Sequence, residues 1–388
     1  MSNERQVAEE RIAWTRRHMP VLVETITEFN IQKPFKGLKI GFRLHLEPKT
    51  AVLIEALLAG GAEIIAMGNE GTTQFGTAEV LSRQGCEILD RPDQGSEMTA
   101  VHLSRIASIE PDLVLDNGAE LIGTCLENSK PPLGATEETT SGAFRLREIH
   151  ANQVGFPVIV INDSPLKSIV ENKHGVGESV VDTIVRVTNI SFHKKRVVVY
   201  GYGWCGRGIA LYAQRRGADV TVVEIDPIKA LEAAMDGFDV EESFVAVRSA
   251  EVVITATGRP GVVDYDTIEQ MSDGVVLANA GHFDTEIDIV KLEEQAPGAE
   301  LSPSLKCHDL SNGKSVFSIA EGRIVNLAAF GGIGNPIEAM DLGLTLQARS
   351  LAALIDPGYN FSLGPQPVPD AVNTKVATAM LHSMGQLG

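Results

Sequence analysis

Cysteine is scarce: Cys86, Cys125, Cys205 and Cys307 are the four in a chain of 388 residues. They lie far apart, without the close pairs that disulfide frameworks or metal sites use, so no metal site is assigned and a reducing compartment is expected. Positive charge is also short. Lys and Arg number 33 against 51 Asp and Glu, a net charge of −18. Such a surface repels phosphate backbones and anionic lipid, which argues against nucleic acid and membrane partners. Long apolar runs are missing too: none reaches the roughly 20 residues that cross a bilayer. The opening segment, MSNERQVAEERIAWTRRHMP, is charged throughout and holds no apolar signal core. The expected location is therefore the cytoplasm.

What is present is enough apolar residue, 44% of the chain, to bury two cores. Residues 6–30 read as one amphipathic helix. A short strand follows over Leu38–Leu44, and Pro48 opens a helix that Gly60-Gly61 stops. EIIAMG, CEILD, LVLDNG and VIVIND are further strands, each followed by a helical stretch. VVDTIVRVTNI reads as a connecting helix. From Arg196 a second series begins, with RVVVYG, DVTVVEID, EVVITATG and GVVLANA as strands and RIVNLAA as a further candidate. Strand alternating with helix predicts α/β architecture: two doubly wound parallel-sheet domains, the second a Rossmann domain. The expected division is 1–180, 181–345, and a segment 346–388 returning to the first domain.

Gly201, Gly203, Gly206 and Gly208 form G-x-G-x-x-G-x-G directly after a β-branched strand. The first glycine permits a tight turn, the second lets backbone approach a pyrophosphate, and the third lets the helix pack close to the sheet. Glu224 ends the next strand about 20 residues on, where an acid accepts from ribose hydroxyls and disfavours the extra phosphate of NADP. NAD is therefore the expected cofactor. Asp226, just before Pro227, reads as a helix cap rather than a ribose partner.

YGYGWCGRGIA, ITATGRPGVV, NAGHFDTEID, SIAEGRIVNLA, GATEETTSGAF and VIVINDSPLKSIVENKHGVGES together resemble the S-adenosylhomocysteine hydrolase family. The similarity runs over about residues 19–370. The resemblance implies a tightly held NAD that oxidises a nucleoside 3′-hydroxyl, so that the 4′ C–H becomes acidic and the 5′ group leaves. It implies catalytic roles for Lys167, His45, His282, Glu138, Glu171, Asn162 and Asn172. In that family Lys167 would take the 3′-hydroxyl proton, flanked by Asn162 and Asn172. Glu138 and Glu171 would hold ribose hydroxyls, and His45 would serve the 5′ position. Thr139, Thr140, Ser141, Thr257, Gly258, Ala280, Gly281, His282 and Asn326 would contact the cofactor. Taken alone, Lys167 reads as an ordinary solvated lysine, while His45 reads equally as an ordinary partly buried histidine or as a site residue just beyond a strand's carboxyl end.

Departures cluster around the substrate. Where the family carries His-x-Thr-x-Glu at the adenine side, this chain has His45, Glu47 and Lys49. Phe75 stands where an aspartate follows the Thr-Gln pair, Asn335 where a histidine falls, and Lys229 where an asparagine contacts the NAD ribose. Trp204 replaces a small acidic residue in the glycine loop. The family's C-terminal extension has no counterpart, so a homo-oligomer, dimer or tetramer, is expected without its usual clasp. Three readings stay open. One is a family enzyme acting on a different nucleoside or 5′-substituted ribosyl compound, with a hydrolase or lyase outcome. The second is an authentic S-adenosylhomocysteine hydrolase, and the third a catalytically silent NAD-binding regulator. Hinges are expected near 180–195 and 343–350.

Overall fold

The computed structural model describes residues 3–69, 72–91 and 94–386. The chain divides into two compact units, residues 1–168 with 337–388, and residues 169–336. The cuts fall before those read from the sequence, 180 and 345, for a packing reason. The helix Val176–Thr188 lies against the helix Trp204–Arg215 and so joins the second unit, while the helix Ile337–Ala353 starts before Gly343 and joins the first.

The first unit is a seven-stranded parallel sheet. Its strands are β1 (Lys39–Arg43), β2 (Glu63–Met67), β3 (Glu87–Ile88), β4 (Leu113–Asp116), β5 (Gly134–Glu137), β6 (Pro157–Val160) and β15 (Gly364–Pro367), in the order β15-β6-β5-β4-β1-β2-β3. Both faces are covered. Ile40, Phe42, Leu113 and Leu115 enter one core, and Val114, Ile65, Val158 and Val160 the other. Alternate residues of a strand point to opposite faces, which is why these strands read as near-continuous apolar runs.

The second unit has eight strands: β7 (Arg196–Tyr200), β8 (Asp219–Val223), β9 (Asp239–Val240), β10 (Val252–Thr255), β11 (Val275–Asn279), β12 (Ala299–Ser302), β13 (Leu305–Asp309) and β14 (Ser315–Ile319). Their order is β12-β13-β14-β11-β10-β7-β8-β9. The sheet is parallel except at β13, which runs antiparallel to both neighbours. Val197 and Val199 face one core, Val198 and Tyr200 the other. Both domains are thus α/β with doubly wound sheets, as the alternation predicts.

Two local expectations fail. Residues 6–30 are two helices, Asn3–Arg17 and Pro20–Gln32. Proline cannot continue a helical ladder but suits a first turn, and Met19 ahead of it leaves the helical region at φ −125°. RIVNLAA is not a strand. β14 already pairs with β11, and Val325–Ala328 forms a short helix beyond it, with Ile324 making one isolated bridge to Asn279. The strand β5, GATE, carries no strand pattern in the sequence, being four residues that open on glycine. Among the described residues no helix is long and apolar enough to cross a membrane.

Asp341 ties the returning segment to the first unit. This buried carboxylate, on the helix Ile337–Ala353, accepts from the backbone N–H groups of Val21 at 3.0 Å and Leu22 at 2.8 Å. It caps the helix Pro20–Gln32, which Met19 does not cap.

Candidate active site and dinucleotide site

Parallel strands bring their carboxyl ends to one edge, where α/β proteins place ligands. In the first unit the adjacent strands β6, β5, β4, β1 and β2 carry Asn162 with Lys167, Glu138, Asn117, His45 and Asn69 at those ends. His45 is half-buried. Burial pushes its imidazole below the ordinary histidine value, against the pull of Glu138 first and Glu47 second, with Lys49 and Arg43 adding to the lowering. A neutral imidazole at physiological pH is ready to accept a proton.

Glu138 is 8% exposed and held by a relay that the sequence did not reveal. Asn117 Nδ2 donates to Glu138 Oε2 at 2.6 Å, and Asn69 Nδ2 donates to Asn117 Oδ1 at 2.7 Å. The next residue back, Glu137, is fully buried and accepts from the N–H groups of Gly118, Ala119 and Thr139 and from the Thr139 hydroxyl. Burial, with the charge of Asp116 behind it, pushes the Glu137 carboxyl up; the donors pull it back. Glu137 thereby fixes the loop on which Glu138 stands. Arg43 pins the same corner. It donates to the Asn117 carbonyl and to Glu120, both at 2.7 Å.

Lys49 is 7% exposed and its Nζ lies 3.2 Å from Glu47 Oε1. Thr139, the cap of the helix Thr140–Phe144, accepts from the Gly142 N–H and lies 3.1 Å from the Ser141 hydroxyl. Lys167 is half-buried and ends the turn Pro165–Lys167, which Ser164 caps. Ser164 in turn donates to Asn373 at 2.7 Å. A π-helix, Ser168–Gly175, follows and carries Glu171, which is buried, and Asn172. Such i→i+5 turns recur at functional sites.

In the second unit, β7, β8, β10, β11 and β14 lead to Gly201, Glu224, Thr257, His282 and Asn326. The glycines divide by role. Gly201 sits at φ +92° in the turn. A Cβ on Gly206 would fall 1.9 Å from the Gly201 carbonyl, and one on Gly208 would fall 1.8 Å from the Lys173 carbonyl, where two helices meet. A Cβ on Gly203 meets nothing within 4 Å, so its glycine leaves room for something outside the chain. Glu224 accepts from the Tyr202 and Asp226 N–H groups at 2.7 and 2.9 Å. Asp226 caps the helix Pro227–Met235 through the Ile228 N–H at 2.9 Å, and Lys229 lies 3.6 Å from it.

Asn326 is buried. Its Nδ2 donates to Ser179 Oγ at 2.9 Å, while its Oδ1 has no partner among the described residues. A buried acceptor without a donor is costly, and a carboxamide N–H₂ such as that of nicotinamide satisfies it. The open Gly203, the acid Glu224 and the orphaned Asn326 oxygen fit a dinucleotide. His282 is exposed and packs edge-on against Phe283 at 5.4 Å, while Ala280 and Gly281 follow β11 directly. Trp204 is 40% exposed under the Arg207 guanidinium, 4.8 Å away. Phe75 is the first residue of the helix Phe75–Arg83.

Comparison with known proteins agrees along the chain. The family model described as S-adenosyl-L-homocysteine hydrolase matches residues 3–132, and that for its NAD binding domain matches residues 172–332. An S-inosyl-L-homocysteine hydrolase of Methanopyrus kandleri is 44% identical over 383 residues, spanning 96% of this chain and 90% of that protein. An adenosylhomocysteinase of Thermotoga maritima is 41% identical over 387 residues, spanning 97% and 95%. An S-inosyl-L-homocysteine hydrolase of Methanothermobacter thermautotrophicus is 40% identical over 389 residues, spanning 97% and 92%.

Proposed function

The chain belongs to the S-adenosyl-L-homocysteine hydrolase family and takes NAD as its cofactor, and on that premise we propose that it cleaves the 5′ thioether of a homocysteine nucleoside whose base is a 6-oxopurine. When bound, NAD⁺ supplies the reversible oxidation at the 3′ carbon that makes the 4′ C–H acidic and the thioether a β-leaving group. The remaining work belongs to side chains. Glu138, with Oε2 engaged by Asn117, presents Oε1 to the ribose hydroxyls. Lys167 takes the 3′-hydroxyl proton, and His45, kept neutral by burial, moves a proton at the 5′ sulfur or at the water that replaces it.

The choice of base starts from the Lys49–Glu47 pair at 3.2 Å, at positions that the resemblance assigns to the base. Adenine offers an acceptor at N1 and a donor at N6, whereas hypoxanthine offers a donor at N1 and an acceptor at O6. A glutamate where Lys49 stands accepts from an amine. Lysine can only donate, and Glu47 beside it can only accept. We place Lys49 at O6 and Glu47 at N1–H, the orientation that matches a 6-oxopurine; the reverse orientation would serve N1 and N6 of adenine. Two of the relatives named above act on the inosyl compound, which supports the same choice.

The test is a direct comparison. NAD-loaded protein is given S-inosyl- and S-adenosylhomocysteine, and free homocysteine and the nucleoside product are measured. The expected result is kcat/KM at least about tenfold higher for the inosyl compound. Equal or reversed preference overturns the base assignment, and no turnover with either overturns the enzyme reading. A second outcome is favoured by Phe75, which supplies no carboxylate for the water step: elimination without rehydration, releasing homocysteine with a 4′,5′-unsaturated nucleoside.

A further inference from the structure

The loop after β10 and the loop after β11 are joined by one carboxylate, that of Glu286. Glu286 is fully buried. Its Oε2 accepts from the Thr257 N–H at 2.9 Å and the Thr257 hydroxyl at 2.8 Å, and its Oε1 accepts from the Gly258 N–H at 2.8 Å. A Cβ on Gly281 would lie 1.5 Å from Glu286 Oε1, so the carboxylate fills the space that glycine leaves. Thr257 borders the dinucleotide turn, since a Cβ on Gly201 would touch its methyl group at 3.2 Å. Asn279 completes the frame. It accepts from Thr255 Oγ1 and the Gly281 N–H, and it donates to the carbonyls of Gly281, Phe283 and Gly322.

We propose that Glu286 is a positioning residue for the dinucleotide, an acceptor-only clamp that sets the Thr257-Gly258 loop beside the glycine turn and keeps the Gly281-His282 segment in register with it. The inference rests on NAD binding alone and not on the choice of substrate. Three donors converge on two oxygens of one side chain. A glutamine cannot replace it: whichever way the amide turns, its NH₂ faces at least one N–H, and the two donors then oppose each other. The arrangement also explains why position 281 is glycine although its backbone needs no left-handed φ; any side chain there expels the Glu286 carboxylate.

The experiment measures NAD⁺ affinity of the full chain, freed of dinucleotide and retitrated without substrate, by calorimetry. Glu286→Gln and Gly281→Ala are each expected to weaken NAD⁺ binding by about tenfold or more, and Thr257→Val, which deletes one of three donors, by roughly threefold. Because both act through one carboxylate, the double variant Gly281→Ala/Glu286→Gln is expected to be no worse than its weaker single parent. Ser318→Ala serves as the control. It removes a buried hydrogen bond to His308 in the same unit, at 2.8 Å, and is expected to lower thermal stability while leaving NAD⁺ affinity intact. The proposal is overturned if Glu286→Gln binds NAD⁺ as the parent does, if Ser318→Ala loses as much affinity, or if the two losses multiply fully in the double variant. Should Gly281→Ala fail to fold, Glu286→Gln and Thr257→Val against Ser318→Ala still decide. Loss of substrate turnover with NAD⁺ affinity unchanged bears on the proposed function and overturns this one.

Discussion

The Asn117 side-chain nitrogen lies 2.6 Å from Glu138 Oε2, and this bond aims the carboxylate to which the proposed function assigns the substrate ribose. Removing a donor from a buried charged acceptor costs about 1–3 kcal/mol. Asn117→Ala is therefore expected to lower kcat/KM by roughly tenfold or more, with NAD content unchanged, as steady-state kinetics and dinucleotide quantitation will show. Asn117→Asp sets two carboxylates in contact, where both cannot be ionised. That variant is expected to keep its activity at low pH and lose it as pH rises and the shared proton leaves.

The same pair marks the limit of what the sequence discloses. Glycines 201, 203, 206 and 208 with Glu224 were legible because each is demanded by a local turn or by the end of one strand. Asp226 was legible as a cap because Pro227 follows it. Asn69, Asn117 and Glu138 meet from three different strand ends, and nothing in their spacing announces a contact. Glu286 is hidden for the same reason: its partners lie in a loop 28 and 29 residues earlier. Pro20 splits the first helix in two, a break that the mixed charge on both sides of it masks as one amphipathic face. The apolar RIVNLAA resembled a strand, and only the sheet order, with β14 already beside β11, removes that place. Periodicity finds elements; it does not find which of them compete for one edge.

The glycine turn makes a contrast that one pair of variants separates. Gly206→Ala drives a methyl group to 1.9 Å from the Gly201 carbonyl, so backbone must move. It is expected to cost about 1–3 kcal/mol of stability and to abolish NAD binding. Gly203→Ala has open space around the new carbon. Its dinucleotide-free form is expected to melt with the parent, while NAD⁺ affinity falls about tenfold or more because the pyrophosphate loses its approach. Differential scanning calorimetry and NAD⁺ titration distinguish the two.

Asp341 gives stability a pH dependence with a definite sign. Burial pushes its carboxyl up to about 6 from an ordinary 3.8, against the pull of the Val21 and Leu22 N–H groups. A group whose pKa is raised on folding binds its proton more tightly in the folded state. Its contribution is complete below the ordinary value and is lost as pH rises through about 6. The amount is roughly 3 kcal/mol across that window. Asp341→Asn carries no titrating group there. The difference between the two unfolding curves is expected to change from pH 4 to pH 6 and to stay flat above about 7. A constant offset across the whole range would mean that Asp341 does not titrate in the folded protein.

Base selection offers the sharpest reversal. Lys49 is buried and Glu47 half-buried, so a mismatched base leaves a largely desolvated charge facing a group of the wrong polarity. Changing Lys49 alone to glutamate would set two carboxylates together, which is why the exchange must be paired. Glu47→Thr with Lys49→Glu removes the 6-oxopurine pattern and installs an acceptor for an amine. The ratio of kcat/KM for the inosyl over the adenosyl compound is expected to fall by about 100-fold or more, below the roughly 10,000-fold or greater discrimination that sites built to hydrogen-bond a substrate group can reach. NAD affinity and thermal stability serve as controls, since neither residue belongs to the unit that carries the glycine turn. If both substrates weaken by the same factor, the pair holds the nucleoside without reading its base, and the preference for a 6-oxopurine has to come from other side chains.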